Sequence, residues 1–81
     1  MNVKPMLLQF IREELAGGEG AIDENASLID TGILDSMALL RLIGFIEERI
    51  GVRVPDDEVV PDNFQSVAQI ETLIQRLQAR R

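Results

Sequence analysis

Apolar residues recur along this chain at helical spacing in three stretches, divided by glycine-rich, polar or proline-bounded segments. From Val3, the residues Leu7, Phe10, Ile11 and Leu15 repeat with the period of one helix face, and Pro5 suits that helix because it falls in the first turn. A second stripe, Leu39, Leu42, Ile43, Ile46 and Ile50, predicts a helix from about Ser36 to Ile50 that stops at Gly51, a residue suited to a left-handed cap. A third, Val67, Ile70, Leu73, Ile74 and Leu77, follows Ser66, which is placed to cap it.

The connecting segments complete the picture. Ala16 to Asp35 holds Gly17, Gly18, Gly20 and Gly32 among polar residues, while Leu28, Ile29, Ile33 and Leu34 are expected to tuck against the core. A connection of about 20 residues in so small a domain usually serves a purpose. After "VRVP", Asp56 is placed to cap a short helical turn through "DEVV" that ends before Pro61. "VRV" could form a strand only with a partner strand, and the sequence offers none. Residues 1–81 therefore read as a single all-α domain, a small four-helix bundle of three main helices and one short one.

Composition changes what can hold such a bundle together. An 81-residue chain buries only about 60 to 65% of its unfolded surface, and three phenylalanines are its only aromatic residues, so aliphatic side chains must fill a thin core. Without cysteine there is neither a disulfide nor a thiolate metal site, which suits a reducing cytoplasm. No apolar run approaches the roughly 18 residues needed to span a bilayer, and no signal peptide opens the chain, so a cytoplasmic protein without membrane insertion is expected. The formal net charge of −6 disfavours nucleic acid as a partner. Arg76, Arg80 and Arg81 cluster where cations complement the C-terminal dipole of the last helix.

The missing residue types also exclude chemistry. With no histidine and no cysteine, a Ser-His-Asp triad, a Cys-His pair and a His- or Cys-ligated zinc cannot form within one subunit. "GGEG" at residues 17–20 lacks the Lys-Ser or Lys-Thr of a P-loop and reads as a flexible turn. A calcium loop begun at Asp23 fails because Leu28 and Leu34 occupy the positions of its glycine and closing glutamate. Asp56 and Asp57 read as a solvated helix start, and the chain is not expected to be an enzyme.

The second helix carries more than its core stripe. Met37, Leu40 and Gly44 fall opposite that stripe, beside Arg41 and Glu48. They either pack beneath the long loop or form a docking surface for partner proteins, to which Gly44 would allow close approach at a cost of about 1 kcal/mol in helix propensity. Ser36 stands at the positive end of the helix dipole. It can act as an N-cap, worth about 1 kcal/mol, or hold a phosphate ester where free backbone N–H groups can receive an anion. Position alone leaves both roles open.

The whole constellation, "LIDTGILDSMALLRLIGFIEERIGVRVPDDEV" followed by "SVAQIETLI", resembles the acyl, aminoacyl and peptidyl carrier proteins. The carrying motifs are Asp35-Ser36-Met37, an upstream "D-x-G", a downstream "E-E-x-I-G-V-x-V-P" and a last helix at the family's separation. The resemblance implies a carrier-protein bundle bearing covalent 4'-phosphopantetheine on Ser36, placed there by a phosphopantetheinyl transferase with help from Asp35 and magnesium. It further implies loading by an ATP-dependent ligase or an acyltransferase and delivery to a downstream synthase or transferase. Partners of the family grip the second helix and the loop before it, so Leu34, Met37, Leu40, Arg41 and Gly44 become contact candidates, on a carrier expected to act as a monomer. Carriers of fatty-acid synthesis have acids on the exposed face soon after the serine, whereas Ala38 and Arg41 stand there in this chain and acids follow only at Glu47 and Glu48. "GILDSM" is closer to discrete aminoacyl, peptidyl or D-alanyl carriers and to carriers of natural-product pathways, and a chain from Met1 to just past its last helix suits a free-standing one. The rival reading is an unmodified helical interaction module in which Ser36 is only an N-cap.

Overall fold

Pro5 lies in the first turn of α1, Lys4–Phe10, where its fixed φ and missing N–H suit a helix start. The computed structural model describes residues 2–18 and 22–80. In it α1 widens into a π-helical turn, Ile11–Leu15, closed by the Ala16 amide donating to the Ile11 carbonyl at 2.8 Å. Leu7 and Ile11 are fully buried, with Phe10 and Leu15 packed at the core's edge.

The second helix, α2, spans Ser36–Phe45 and ends in a similar wide turn, Ile46–Ile50. Gly51 terminates it with φ +84°, as predicted, and its amide donates to the Ile46 carbonyl at 3.0 Å. Leu42, Ile46 and Ile50 are buried, and Leu39 and Ile43 pack beside them. Phe10 stacks on Phe45 with ring centroids 4.3 Å apart, joining α1 to α2.

The third helix, α3, spans Val67–Ala79, and every member of its predicted stripe is buried. Ser66 caps it as expected, accepting from the Gln69 amide at 3.3 Å. The loop supplies a second acceptor at the same helix start, because the Glu24 carbonyl takes the Ala68 amide at 2.9 Å.

The long connection is pinned to the helices. Leu28 and Leu34 belong to the core, Ile29 and Ile33 are half-buried, and the Leu28 amide donates to the Gln65 carbonyl at 2.8 Å. Lys4 pairs with Glu24 at 3.2 Å and with Glu71 at 3.8 Å. The hydrogen bond to Glu24, reinforced by both carboxylate charges, raises Lys4 above its ordinary value. Gly17 and Gly18 turn the chain with φ near +82° and +81°, while Glu19 and Gly20 of "GGEG" lie outside the described residues.

The fourth helix is shorter than the expected one. Two 3₁₀ turns, Asp56–Glu58 and Pro61–Asn63, replace a single turn through "DEVV", and Pro55 stands at the position of the first cap, with no capping bond from Asp56. Val60 precedes a proline and is extended at φ −128° and ψ 152°, so a helix cannot run through it. "VRV" has no regular secondary structure and pairs with no strand among the described residues, and the Val54 amide is satisfied by the Glu47 carboxylate at 3.1 Å. Described residues thus form an all-α fold.

The arginines at the chain's end do more than complement a dipole. Arg76 donates to both oxygens of Glu58 at 3.1 and 2.9 Å, and Arg80 donates to one at 3.2 Å. The Arg76 hydrogen bonds hold the Glu58 carboxyl below the usual carboxylate range, against the smaller opposing effect of burial. Arg81 lies outside the described residues.

Candidate functional site

The loop delivers its end to α2 through a turn built on Ser27. The Ser27 hydroxyl accepts from the Asp30 amide at 3.0 Å and from the Gln65 side-chain amide, and its carbonyl accepts from the Thr31 hydroxyl at 2.8 Å. Gly32 follows with φ +79°, a conformation that explains the glycine of "D-x-G". The Leu34 amide then returns to the Leu28 carbonyl at 3.0 Å, and Asp35 emerges extended, at φ −91° and ψ −173°.

Asp35, not Ser36, caps α2. Its carboxylate accepts from the Ala38 amide at 2.8 Å, which places Ser36 one residue inside the helix. The sequence reading of Ser36 as N-cap is corrected by one position: a carboxylate at residue 35 reaches the third amide, so the serine is relieved of that duty. Ser36 is exposed, and no hydrogen bond joins its hydroxyl to another described residue. The amides of Ser36 and Met37, in the first turn, have no intrahelical acceptor.

The chain contains three serines. Ser27 is held in the loop turn, and Ser66 is 6% exposed and caps α3. Ser36 alone offers a free hydroxyl to solvent among the described residues. Beside it lies an open groove of about 440 Å³, lined by Asp35 and Ser36 together with Ile29, Leu39, Val59 and Val60.

The contact candidates separate clearly. Met37 and Leu40 are 70% and 65% exposed, so they do not pack beneath the loop. A Cβ added at Gly44 would meet nothing within 4 Å, so the fold itself does not require that glycine. Arg41 is exposed, and its guanidinium donates to the Glu14 carbonyl and carboxylate, both at 3.2 Å. Leu34 is different. It is buried with the core, because the return of the loop to Leu28 turns its side chain inward. Ala38 is likewise buried, one turn before Leu42, and does not stand on the exposed face where the sequence reading put it. Val60, 42% exposed, stands on the groove's rim and is not among the sequence candidates. It lies in a segment without periodicity, and only the following proline signals its extended backbone.

A protein family described as "Phosphopantetheine attachment site" matches residues 7–74. The chain belongs to that family. It is a carrier protein, whose family holds acyl or aminoacyl groups on covalently attached 4'-phosphopantetheine. The carrier is 32% identical over 77 residues to a D-alanyl carrier protein of Listeria monocytogenes, with 95% of this chain and 99% of the relative covered. Among solved structures it is similar to the carrier in a Bradyrhizobium japonicum glycine:[carrier protein] ligase complex with glycylated carrier protein, at 27% identity and TM-score 0.71, covering 88% of this chain and 97% of that one. It is also similar to a chain in the crystal structure of an FAD-dependent dehydrogenase, at 36% identity and TM-score 0.79, covering 85% of this chain and 99% of that one.

The residues at the start of α2 fit the group. An exposed, unbonded hydroxyl can be esterified without dismantling a cap, and the free amides of the first turn face an anion favourably. Among the described residues no helix is long and apolar enough to cross a membrane.

Proposed function

We propose that Ser36 is the attachment residue and that the carrier holds an aminoacyl group. The carrying observation is that, of three serines, only Ser36 presents a free hydroxyl, on the first turn of a helix capped by its neighbour. In the transfer, Ser36 Oγ bonds to the phosphorus of coenzyme A's phosphopantetheine, the nucleotide leaves with the electrons of the broken P–O bond, and the serine proton passes to the transferase. Asp35 spends one carboxylate oxygen on the Ala38 amide and has another to help the transferase hold magnesium. When bound, the arm supplies the thiol that carries cargo as a thioester.

The chain itself acts as a covalent substrate and not as a catalyst, working as a monomer in the cytoplasm. An aminoacyl cargo is supported by the D-alanyl and glycylated relatives, and an ATP-dependent ligase is the corresponding loading partner. Met37, Leu40, Arg41 and Gly44 form the docking face, with Val60 at its edge; Leu34 shapes the approach from within. An FAD-dependent dehydrogenase acting on the tethered group is a candidate downstream partner. The similar chain in that structure is almost wholly covered by this small one, so it has the size of a carrier.

Intact-mass measurement after incubation with coenzyme A and a broad-specificity transferase tests the attachment. The wild type gains one phosphopantetheine and Ser36→Ala gains none; a protein that gains nothing supports the unmodified interaction module instead. Loading of the modified carrier by ligases offered a panel of amino acids and fatty acids tests the cargo, and exclusive acceptance of fatty acids would refute the aminoacyl reading.

A further inference from the structure

The wall of the groove facing α2 is the segment from Asp56 to Asn63, which contributes Val59, Val60 and Pro61. Among the described residues every backbone hydrogen bond of this segment is local, among them Val59 to Asp56, Val60 to Glu58 and Asn63 to Val60. No backbone hydrogen bond among the described residues fastens it to α2 or α3. Buried Val54 and Phe64 anchor its flanks, and between them Val59 packs against the core while a charged cluster ties Glu58 down. The Glu58 side chain, 14% exposed, accepts from Arg76 on the C-terminal half of α3 and from Arg80 just past its end. Asn63 completes the cluster, since its side-chain amide donates to the Glu58 carbonyl at 2.7 Å and carboxylate at 3.1 Å, while its own carbonyl oxygen receives Arg76 at 3.5 Å.

Val59 and Val60 follow Glu58 directly, so any movement of Glu58 away from α3 carries them with it. We propose that Glu58 is a positioning residue, a latch through which α3 fixes Val59 and Val60 beside Ser36 and so sets how far the tethered group is shielded from water. This rests on Ser36 as attachment point, but the latch itself exists without the arm. An open groove with aliphatic walls shelters a branched aliphatic side chain and has nothing to offer a glycyl group, so the latch acts on large cargo selectively.

Two measurements test it. The first is amide hydrogen exchange by NMR on the unmodified protein carrying Ser36→Ala, with and without Glu58→Ala or the milder Glu58→Gln. Exchange at Val59, Val60, Asn63 and Phe64 is expected to quicken by about three- to tenfold, as for a locally opened segment, while Leu7 and Ile70 stay unchanged. No change at the segment, or an equal rise throughout the molecule, overturns the latch. The second compares hydrolysis of glycyl and leucyl thioesters on the modified carrier. Glu58→Ala is expected to speed leucyl hydrolysis by about two- to fivefold and leave glycyl hydrolysis unchanged, whereas identical behaviour of the two cargoes overturns the shielding role. Absence of any mass gain at Ser36 refutes the attachment reading alone and leaves the exchange result standing.

Discussion

Asp35→Ala and Ser36→Ala should have unequal consequences for stability, although the residues are neighbours at one helix start. Asp35 accepts the Ala38 amide at 2.8 Å, and losing such a cap costs about 0.5–2 kcal/mol. Its charge at the positive end of α2 adds about 0.3–1 kcal/mol. Together these lower the stability of Asp35→Ala by about 1–3 kcal/mol, and the midpoint of thermal unfolding falls by about 4–24 °C for a domain of this size. The Ser36 side chain makes no hydrogen bond among the described residues, and alanine is a good helix former, so Ser36→Ala stays within about 0.5 kcal/mol of wild type. Asp35→Asn keeps the acceptor without the charge and should fall between them. Urea and thermal unfolding followed by far-ultraviolet circular dichroism measure all three. An Ser36→Ala protein as destabilised as Asp35→Ala would show that the serine bears the cap and refute this assignment of roles.

Three further outcomes are expected. Gly44→Ala should raise stability by about 1 kcal/mol in chemical denaturation, because an added Cβ meets nothing, and should raise the KM of the loading ligase if that partner approaches closely. Leu34→Ala should cost about 2–4 kcal/mol in the same assay as a buried truncation, whereas Leu40→Ala should leave stability within about 0.5 kcal/mol and act on ligase KM instead. The charged clusters give stability a pH plateau: Glu58, depressed below 4.5 when folded, contributes fully above that value and is lost as pH falls through its folded pKa, while Lys4, raised above 10.5, contributes below that value and is lost as pH rises through its folded pKa. Thermal unfolding across pH should show a shallower acid limb in Glu58→Gln than in wild type.

Periodicity made the three helices legible because each buries a continuous stripe, and Gly51 and Ser66 marked their ends by residue type. The same reasoning failed where no stripe exists. Proline geometry stopped the turn through "DEVV" at Glu58 and started a second at Pro61, and the partnership of Glu58 with Arg76 and Arg80 spans a separation that local patterning does not register. At the site, the motif drew attention to Ser36 but could not say which of two adjacent polar residues caps the helix, since aspartate and serine are both good caps. Leu34 and Ala38 were read from a motif and an outward face, yet the depth of each side chain depends on how the loop returns to Leu28 and on packing beside Leu42. The missing early acids on the exposed face therefore reduce to the single exposed position of Arg41, whose guanidinium is already engaged with Glu14.

Tandem mass spectrometry of the tryptic peptide ending at Arg41, taken from carrier treated with coenzyme A and transferase, tests the attachment most directly. That peptide contains Ser27, Thr31 and Ser36, so fragment ions distinguish the free hydroxyl from the two built into the loop turn. The phosphopantetheine should appear on Ser36 alone; its appearance on Ser27 or Thr31, or an unmodified peptide, would contradict the account.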